Sequence, residues 1–308
     1  MPAFIFYISP MNLFTFIYLI GIYLLLNLFQ GFNNIGIEDQ LIYSSLFILL
    51  IGIPHGAIDH ILLFKKREMS QIKFYAIYLG LIIGFIIMWH LFPLYSLLFF
   101  LLISAFHFGE SQFADIKFYP FLKNMFYFFW GLSLLSTLIF YNIDELNNVT
   151  QYFDDTLALE KIYNTDKVRI LFYFTNAFTV LAIFAITILK KIKTERLLSE
   201  IFLLFLIHIT FYLFPFIIGF TLYFVALHSL KVMNDEYMFF KEENSEFSLF
   251  DFLKMLAPYS ILSIFFTTIL LSLSYFNYIP YSIPFLSIMI ISVITLPHAI
   301  VMNIFYNE

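Results

Sequence analysis

The chain has no cysteine and few charged residues. Of its 308 residues, 12% are Asp, Glu, Lys or Arg and 62% are hydrophobic, whereas a soluble domain carries about 25% charged residues. The missing cysteines exclude disulfides, thiolate metal ligands and cysteine nucleophiles. The low fraction of charged residues provides no basic surface that could bind nucleic acid. With a mean hydropathy of +0.90, the composition indicates a polytopic membrane protein.

Three further features are missing. The alternating strands of about ten residues that mark an outer-membrane barrel do not occur, because the apolar runs are about 20 residues long. No glycine-rich phosphate loop is present. Residues 1–30 lack a basic leading region and a small-residue cleavage pattern, so we expect them to form a retained first helix and not a signal peptide.

The apolar runs predict an all-α fold, a polytopic transmembrane helical bundle in a single integral-membrane domain, residues 1–308. Charged residues, Pro and Asn separate about ten such runs. The seventh run is short and meets the eighth at Pro215, so nine spans is the alternative. The predicted spans are 5–30, 41–64, 72–91, 94–114, 121–141, 168–189, 197–213, 216–240, 252–276 and 282–305.

The charges between the spans predict the orientation of the bundle. Lys and Arg cluster in alternate linkers, as at 65–67 and 190–196, whereas the linkers on the other side are mainly acidic. By the positive-inside rule, ten spans then place the basic linkers and both termini in the cytoplasm, with the protein in the cell membrane. The longest acidic linker, 142–167, predicts an outer cap or a short surface helix.

Four histidines lie on predicted spans that all run inward from the outer face: His55, His107, His228 and His298. Each is about 12 to 16 residues below the start of its span, so at about 1.5 Å per residue they share one layer. A titratable group at membrane depth is a functional hypothesis by default. Any one of them alone is more simply a histidine bonded to a neighbouring carbonyl, but four at one level suit a metal site in a bundle core.

Two carboxylates accompany these histidines. Asp59 is four residues after His55 and Glu110 is three after His107, so each faces the same side of its helix as that histidine. We expect both to accept imidazole N–H groups and so fix the rings. The alternatives are that Glu110 is itself a ligand, or that both pair with Lys231 in a structural network.

The other three histidines fit the layer less well. His60 lies lower than the layer and roughly 140° round its helix, and is assigned either a supporting place beside the ligands or a structural one. His90 lies at a predicted membrane boundary, where an interfacial role is ordinary. His208 lies near the outer end of a helix running the other way, and both are interpreted as structural.

The motifs now form a recognisable set. Pro54-His-Gly-Ala-Ile-Asp-His60, His107-Phe-Gly, His228-Ser-Leu-Lys and Pro297-His298 resemble the Brp/Blh family of membrane-embedded beta-carotene 15,15'-dioxygenases. The resemblance runs from the second span to the tenth. It implies histidine-bound Fe²⁺ and cleavage of the central double bond of beta-carotene with O₂ to give two retinal molecules.

The same resemblance implies the catalytic metal ligands and the partners. The ligand set that we expect is His55, His107, His228 and His298. The substrates would be beta-carotene and O₂, the surroundings membrane lipid, and the product acceptor a retinal-binding rhodopsin.

The chain departs from the family pattern at one position. Several members have His-Ser-x-x-His in the third motif, and here Val232 takes the place of the second histidine. His298, His60 or Glu110 then completes the ligand set, and the shared depth favours His298. The departure leaves open an altered substrate or cleavage position, or a homologue that has lost activity.

Three other function classes are weighed against this one. A di-iron desaturase or hydroxylase would carry His-x-x-x-His and His-x-x-His-His boxes, and none occurs. A proton- or cation-coupled transporter would use Asp59, Glu110 and the histidines as a relay, but repeated halves with broken helices are not seen. A non-catalytic carotenoid- or retinal-binding factor for a rhodopsin would bind retinal without turnover.

Overall fold

The computed structural model describes residues 12–29, 35–163 and 165–307, so part of the predicted span 5–30 lies outside the described residues. All regular structure in these ranges is helical, which confirms the predicted all-α bundle. The α-helices are α1 Leu13–Phe29, α2 Ile37–Phe47, α3 Asp59–Lys66, α4 Gln71–Leu91, α5 Pro93–Phe113, α6 Pro120–Tyr141, α7 Ile143–Tyr152, α8 Thr165–Ile188, α9 Thr194–Leu213, α10 Phe216–Tyr223, α11 Leu230–Glu243, α12 Leu249–Tyr275 and α13 Ile283–Asn307.

Within the described ranges, nine helices are long and apolar enough to cross a membrane. The tenth apolar helix, α1, has 17 described residues and is shorter than the others. The junction at Pro215 separates two distinct helices, α9 and α10. The count of nine therefore does not arise from a fusion of the predicted seventh and eighth spans.

Two of the nine crossing helices are interrupted halfway. In the helix Asp39–Lys66, a π-helical segment at Ile48–Gly52 and a 3-10 turn at Pro54–Gly56 separate α2 from α3. In the helix Phe216–Glu243, a π-helical segment at Phe224–Ser229 separates α10 from α11. Such π segments change the hydrogen-bond register and are frequent at functional sites.

Local sequence signals explain several helix ends. Pro93 and Pro120 occupy the first turns of α5 and α6, where the missing N–H has no helical partner to lose. Ser248 and Asp251 form a reciprocal capping box at the start of α12. Asn277 follows the end of that helix with a left-handed φ of 59°, a conformation that Asn tolerates better than most residues.

Helices α5 and α6 touch through their backbones at two glycines. A Cβ atom placed on Gly131 would lie 1.8 Å from the carbonyl oxygen of Ala105, and one placed on Gly109 would lie 1.9 Å from that of Tyr127. Side chains larger than hydrogen at either position would force the helices apart. Small residues let membrane helices approach this closely, and here the contact fixes the helix that carries His107.

Buried apolar side chains form three clusters in the described part of the chain. One contains Phe108 and Leu227, which adjoin His107 and His228 in sequence. A second contains Ile58 and Val301, close in sequence to His55 and His298. A third joins α4, α5 and α13. Each of the four histidines is therefore close in sequence to a member of one of the first two clusters.

The bundle differs from helix to helix in how much of its surface is exposed. In the most apolar stretch of α6, 61% of the residues are buried, whereas in that of α12 only 11% are. Exposed Leu, Ile and Phe side chains cover α12. An apolar surface of this extent suits lipid and not water, as expected for an integral membrane protein.

The predicted cap at 142–167 forms a short helix, α7, followed by a 3-10 segment, Asp154–Tyr163. Its acidic residues accept hydrogen bonds from residues at or near the starts of other helices. Glu145 accepts hydrogen bonds from the backbone N–H of Phe216 at 2.7 Å and from Gln40 at 2.6 Å. Asp155 accepts from the N–H and hydroxyl of Ser282, just before α13. The acidity of this linker thus has a structural use.

Candidate metal centre

The structure brings the four predicted histidines together as a closed group of rings. The ring centroids of His55 and His298 are 4.7 Å apart, those of His298 and His107 5.0 Å, those of His107 and His228 4.8 Å, and those of His228 and His55 5.3 Å. Neighbouring rings are nearly perpendicular, at 81–88°. The exposed fraction is 8% for His55 and 1–2% for the other three. The four imidazoles therefore face one another in a dry core.

His55 depends on the first interrupted helix. Pro54 has no N–H to continue the helical ladder, and the ladder around it passes through π and 3-10 bonds, such as Ile53 N–H to Ile48 O at 2.7 Å. The carbonyl of Gly52 accepts a hydrogen bond from His55 Nδ1. Because a carbonyl only accepts, Nδ1 carries the proton, and Nε2 keeps its lone pair for a ligand.

His228 lies within the second interrupted helix and is held by α5. Its Nδ1 lies 3.1 Å from the hydroxyl oxygen of Ser111. That hydroxyl donates its own proton to the carbonyl of Phe108 at 3.0 Å, so it accepts from the imidazole. Lys231 donates to the backbone carbonyl of Ser111. The result is the same tautomer as in His55, with Nε2 unprotonated.

His298 follows Pro297 inside α13 and is held by a carboxylate. Its Nδ1 lies 2.8 Å from Asp59 Oδ1, and both side chains are nearly fully buried. Gly56 makes room for the ring, since a Cβ there would lie 3.1 Å from His298 Nδ1. A buried carboxylate bonded to one imidazole nitrogen directs the other nitrogen as a metal ligand.

His107 differs from the other three because neither of its ring nitrogens has a hydrogen-bond partner. Nε2 of His228 and Nε2 of His298 are also buried without a partner. Buried imidazole nitrogens are normally satisfied, so several orphaned lone pairs at one point call for an explanation such as an ion. Ligand nitrogens of His55, His107 and His298 lie within 4.8 Å of one another. The donor set fits a divalent transition metal, which neutral imidazole binds.

His228 stands slightly apart from that compact trio, yet its ring contacts those of His55 and His107 and its Nε2 is orphaned. Aromatic side chains close this side of the group. The ring of Phe224 lies 5.4 Å from that of His55 and is stacked 5.5 Å from that of His228. Phe108 packs edge-on against His228 at 4.8 Å. These rings exclude water from the histidine group.

The two carboxylates bond to other groups than the sequence predicts. Asp59 pairs with His298 and not with His55 of its own helix, because the π and 3-10 turns rotate His55 away from helical register and give it the Gly52 carbonyl. Glu110 accepts from Asn303 at 2.7 Å and from Asn307 at 2.8 Å, both on α13. The hydrogen bond of Lys231 goes to Ser111, so the alternative pairing with both carboxylates is not what the structure has.

The other histidines lie outside the group of four rings. His60 packs against Tyr259, with ring centroids 4.4 Å apart. His90 is bonded to the hydroxyl of Tyr281 at 2.9 Å. His208 is bonded to Asn176 at 3.0 Å. Val232, at the position of the missing family histidine, is fully buried in the second apolar cluster.

Three groups that contact the site are not among the residues predicted from the sequence: the Gly52 carbonyl, Ser111 and Tyr78. Ser111 is four residues after His107 and shares its helix face, a signal that was available. Tyr78 donates to Asp59 Oδ2 at 3.0 Å from α4, a helix that contributes none of the four rings. No local pattern could have given that contact, because it depends on how α4 packs.

A family model described as beta-carotene 15,15'-dioxygenase matches residues 46–306. The chain belongs to this family. The matched range contains all four histidines of the group as well as Asp59, Tyr78 and Ser111, so family membership and site geometry concern the same part of the chain.

One curated relative also matches this family member. A protein of uncultured marine bacterium 66A03 named "Beta-carotene 15,15'-dioxygenase" is 41% identical over 71 residues, which are 21% of this chain and 26% of the relative. The match thus spans about a quarter of that relative's length. No solved structure matches the chain.

Proposed function

We propose that this protein cleaves the central double bond of beta-carotene with O₂ to give two retinal molecules, using ferrous iron held by His55, His107, His228 and His298. The observation that carries the proposal is the group of four buried imidazoles facing one another in an apolar bundle, in a member of this family. The orphaned ring nitrogens supply the donors that such an ion needs.

The ligand atoms follow from the hydrogen bonds. His55, His228 and His298 each donate from Nδ1, so each would bind iron through Nε2, and His107 would bind through a ring nitrogen that is otherwise unpartnered. Bound iron would supply the activation of O₂, which no side chain of this set provides. The protein would hold the ion, fix the rings and keep the site dry.

The surroundings suit two apolar substrates. The carotenoid and O₂ both dissolve in lipid, and Phe108 and Phe224 lie against the histidine rings. In the overall reaction one carbon–carbon double bond is broken and each carbon gains one oxygen atom of O₂. No proton is gained or lost in that balance, so the site needs no general base.

Three further side chains have proposed supporting roles. Asp59 orients His298 directly. Glu110 joins α5 to α13 through Asn303 and Asn307, and so keeps the helices of His107 and His298 in register. His60 supports the site through its ring contact with Tyr259.

The proposal includes a membrane arrangement. With α1 as its tenth crossing helix, the chain would form one integral-membrane domain with its basic linkers and both termini in the cytoplasm, and lipid would surround the exposed apolar helices such as α12. Retinal is an apolar aldehyde that leaves into the bilayer. A retinal-binding rhodopsin in the same membrane is the acceptor that we propose.

The test is expression in cells that make beta-carotene, with pigments separated by chromatography and iron measured in the purified protein. We expect beta-carotene to fall and retinal to appear with the unmodified chain and with the control His90→Ala, which lies outside the group. His107→Ala should abolish both iron and retinal. A longer apocarotenal would place the cleavage elsewhere. Unchanged pigment with well-folded, iron-loaded protein would reject the dioxygenase and favour a carotenoid binder or transporter.

A further inference from the structure

Among the hydrogen-bond partners of the site histidines, the partner of His298 is unlike the others. His55 uses a carbonyl of its own helix, and His228 uses a hydroxyl on α5. His298 uses Asp59, and Asp59 is in turn bonded to a residue on a fifth helix, Tyr78 of α4. This connection therefore reaches beyond the segments that carry the four rings.

The two bonds use the two oxygens of one carboxylate. Asp59 Oδ1 lies 2.8 Å from His298 Nδ1, and Asp59 Oδ2 accepts from the Tyr78 hydroxyl at 3.0 Å. The exposed fraction of Asp59 is 3% and that of His298 is 2%. In such a dry setting a hydrogen bond is stronger than in water and an unpaired oxygen is costly. The hydrogen bond from Tyr78 therefore sets the orientation of the Asp59 carboxylate plane.

We propose that Tyr78 is a positioning residue for the metal site, acting on His298 through Asp59. This role rests on the metal site of the proposed function. The tyrosine hydroxyl holds Asp59 so that its other oxygen faces Nδ1, which fixes the tautomer of His298 and aims Nε2 at the ion. Partners of this kind change metal affinity by about 10–100-fold when they are removed. Tyr78 is one hydrogen bond further from His298, so removing its hydroxyl has a smaller effect on metal affinity than removing the Asp59 carboxylate.

A matched control lies one turn away on the same helix. Tyr75 packs its ring near His60 and Phe74 and has 42% of its surface exposed. Its hydroxyl is not among the partners of Asp59. Tyr75→Phe removes the same atom as Tyr78→Phe without touching the connection to His298.

The experiment loads the purified full-length chain with Co²⁺ and measures its retention against a competing chelator, together with the visible spectrum of the bound ion. We expect Asp59→Asn to weaken retention by about 10–100-fold and Tyr78→Phe by about 3–10-fold. Both should shift the spectrum. Tyr75→Phe should change neither measurement. A purely packing role for Tyr78 would lower the melting temperature and leave the spectrum of the loaded protein unchanged, which would overturn the proposal.

A double-mutant cycle tests whether Tyr78 acts through Asp59. Neighbours in one network are non-additive, so Tyr78→Phe should have no further effect on retention in the Asp59→Asn background. An undiminished effect there would overturn the proposed path. Failure of the unmodified chain to retain Co²⁺ would overturn the metal site and this role together, whereas normal retention in Tyr78→Phe would overturn only the role of Tyr78.

Discussion

The helix of His107 and the two interrupted helices present histidine to the same point in different ways. Helix α5 is continuous from Pro93 to Phe113 and is fixed against α6 by backbone contact at two glycines. His107 on it has no hydrogen-bond partner. His55 lies in a 3-10 turn just after a π segment, His228 lies within a π segment, and each ring has a partner.

The difference has a simple physical cause. His107 takes no partner from the carbonyls of its continuous helix, so its position is set by the packing of α5 against α6. The interruption around His55 frees the Gly52 carbonyl for its ring, and His228 takes its partner, Ser111, from α5, so both rings are set by hydrogen bonds. One histidine is thus positioned by packing and the others by polar partners.

The largest expected effect comes from separating α5 from α6. Gly131→Ala would place a methyl group 1.8 Å from the carbonyl oxygen of Ala105, so the helices must move apart. We expect a loss above the typical range for overpacking, about 1–3 kcal/mol, seen as a poor yield of monodisperse protein in detergent. The control is Gly84→Ala, because a Cβ atom placed on Gly84 would meet no neighbouring atom within 4 Å. Equal yields for the two variants would mean that the contact does not fix α5.

A second change closes the interruption beside His55. Pro54→Ala restores an N–H and lets the helix continue, so the Gly52 carbonyl returns to the ladder and His55 loses its partner. We expect metal retention against a chelator to fall by about 10–100-fold. Pro258→Ala, an exposed proline within α12, should leave retention as it was. Equal retention in both variants would show that the interruption does not position His55.

A third variant tests whether α11, the part of the second interrupted helix that follows His228, can supply a ligand. Val232→His restores the histidine that other family members have, but Val232 is fully buried among apolar side chains. We expect a loss of about 1–3 kcal/mol in stability from an unsatisfied imidazole and no increase in bound metal. Val232→Ala separates the loss of packing from the polar penalty. Tighter metal retention in Val232→His would show that this site accepts a fifth imidazole.

The smallest effect is expected at His60. Its ring packs against Tyr259 and lies outside the group of four, so His60→Ala should leave metal retention unchanged and lower the melting temperature slightly, in keeping with about 0.5–1.5 kcal/mol for an aromatic pair. Complete loss of metal in this variant would place His60 in the ligand set and would contradict the assignment of His298.

The sequence predicts the helical bundle because runs of about 20 apolar residues have few alternatives in a membrane. It predicts the group of four histidines because titratable residues are rare there and the four occur at one depth. The rotation of each helix about its own axis is much harder to predict. Lipid and protein core are both apolar, so periodicity gives little sign of which face packs inward.

The partners of the carboxylates could not be predicted for that reason. Helical spacing assigns Asp59 to His55 and Glu110 to His107, since it assumes regular helices. The structure joins Asp59 to His298 and Glu110 to Asn303, both on α13. Pro54 is the visible sign that regular spacing fails around His55, but the π segments themselves carry no clear sequence signal.

The late position of α13 in the chain has a consequence for biosynthesis. Asp59 and His298 are 239 residues apart, whereas the glycine contacts join two consecutive helices. Chains generally fold from the N-terminal side as they are made, so the α5–α6 hairpin can pack long before the ring of His298 arrives. Capture of the ion would then come after the rest of the bundle is in place, and a chain stalled before α13 would hold three of the four histidines of the group but no complete binding site. Metal occupancy would thereby indicate that insertion of the chain into the membrane has reached α13.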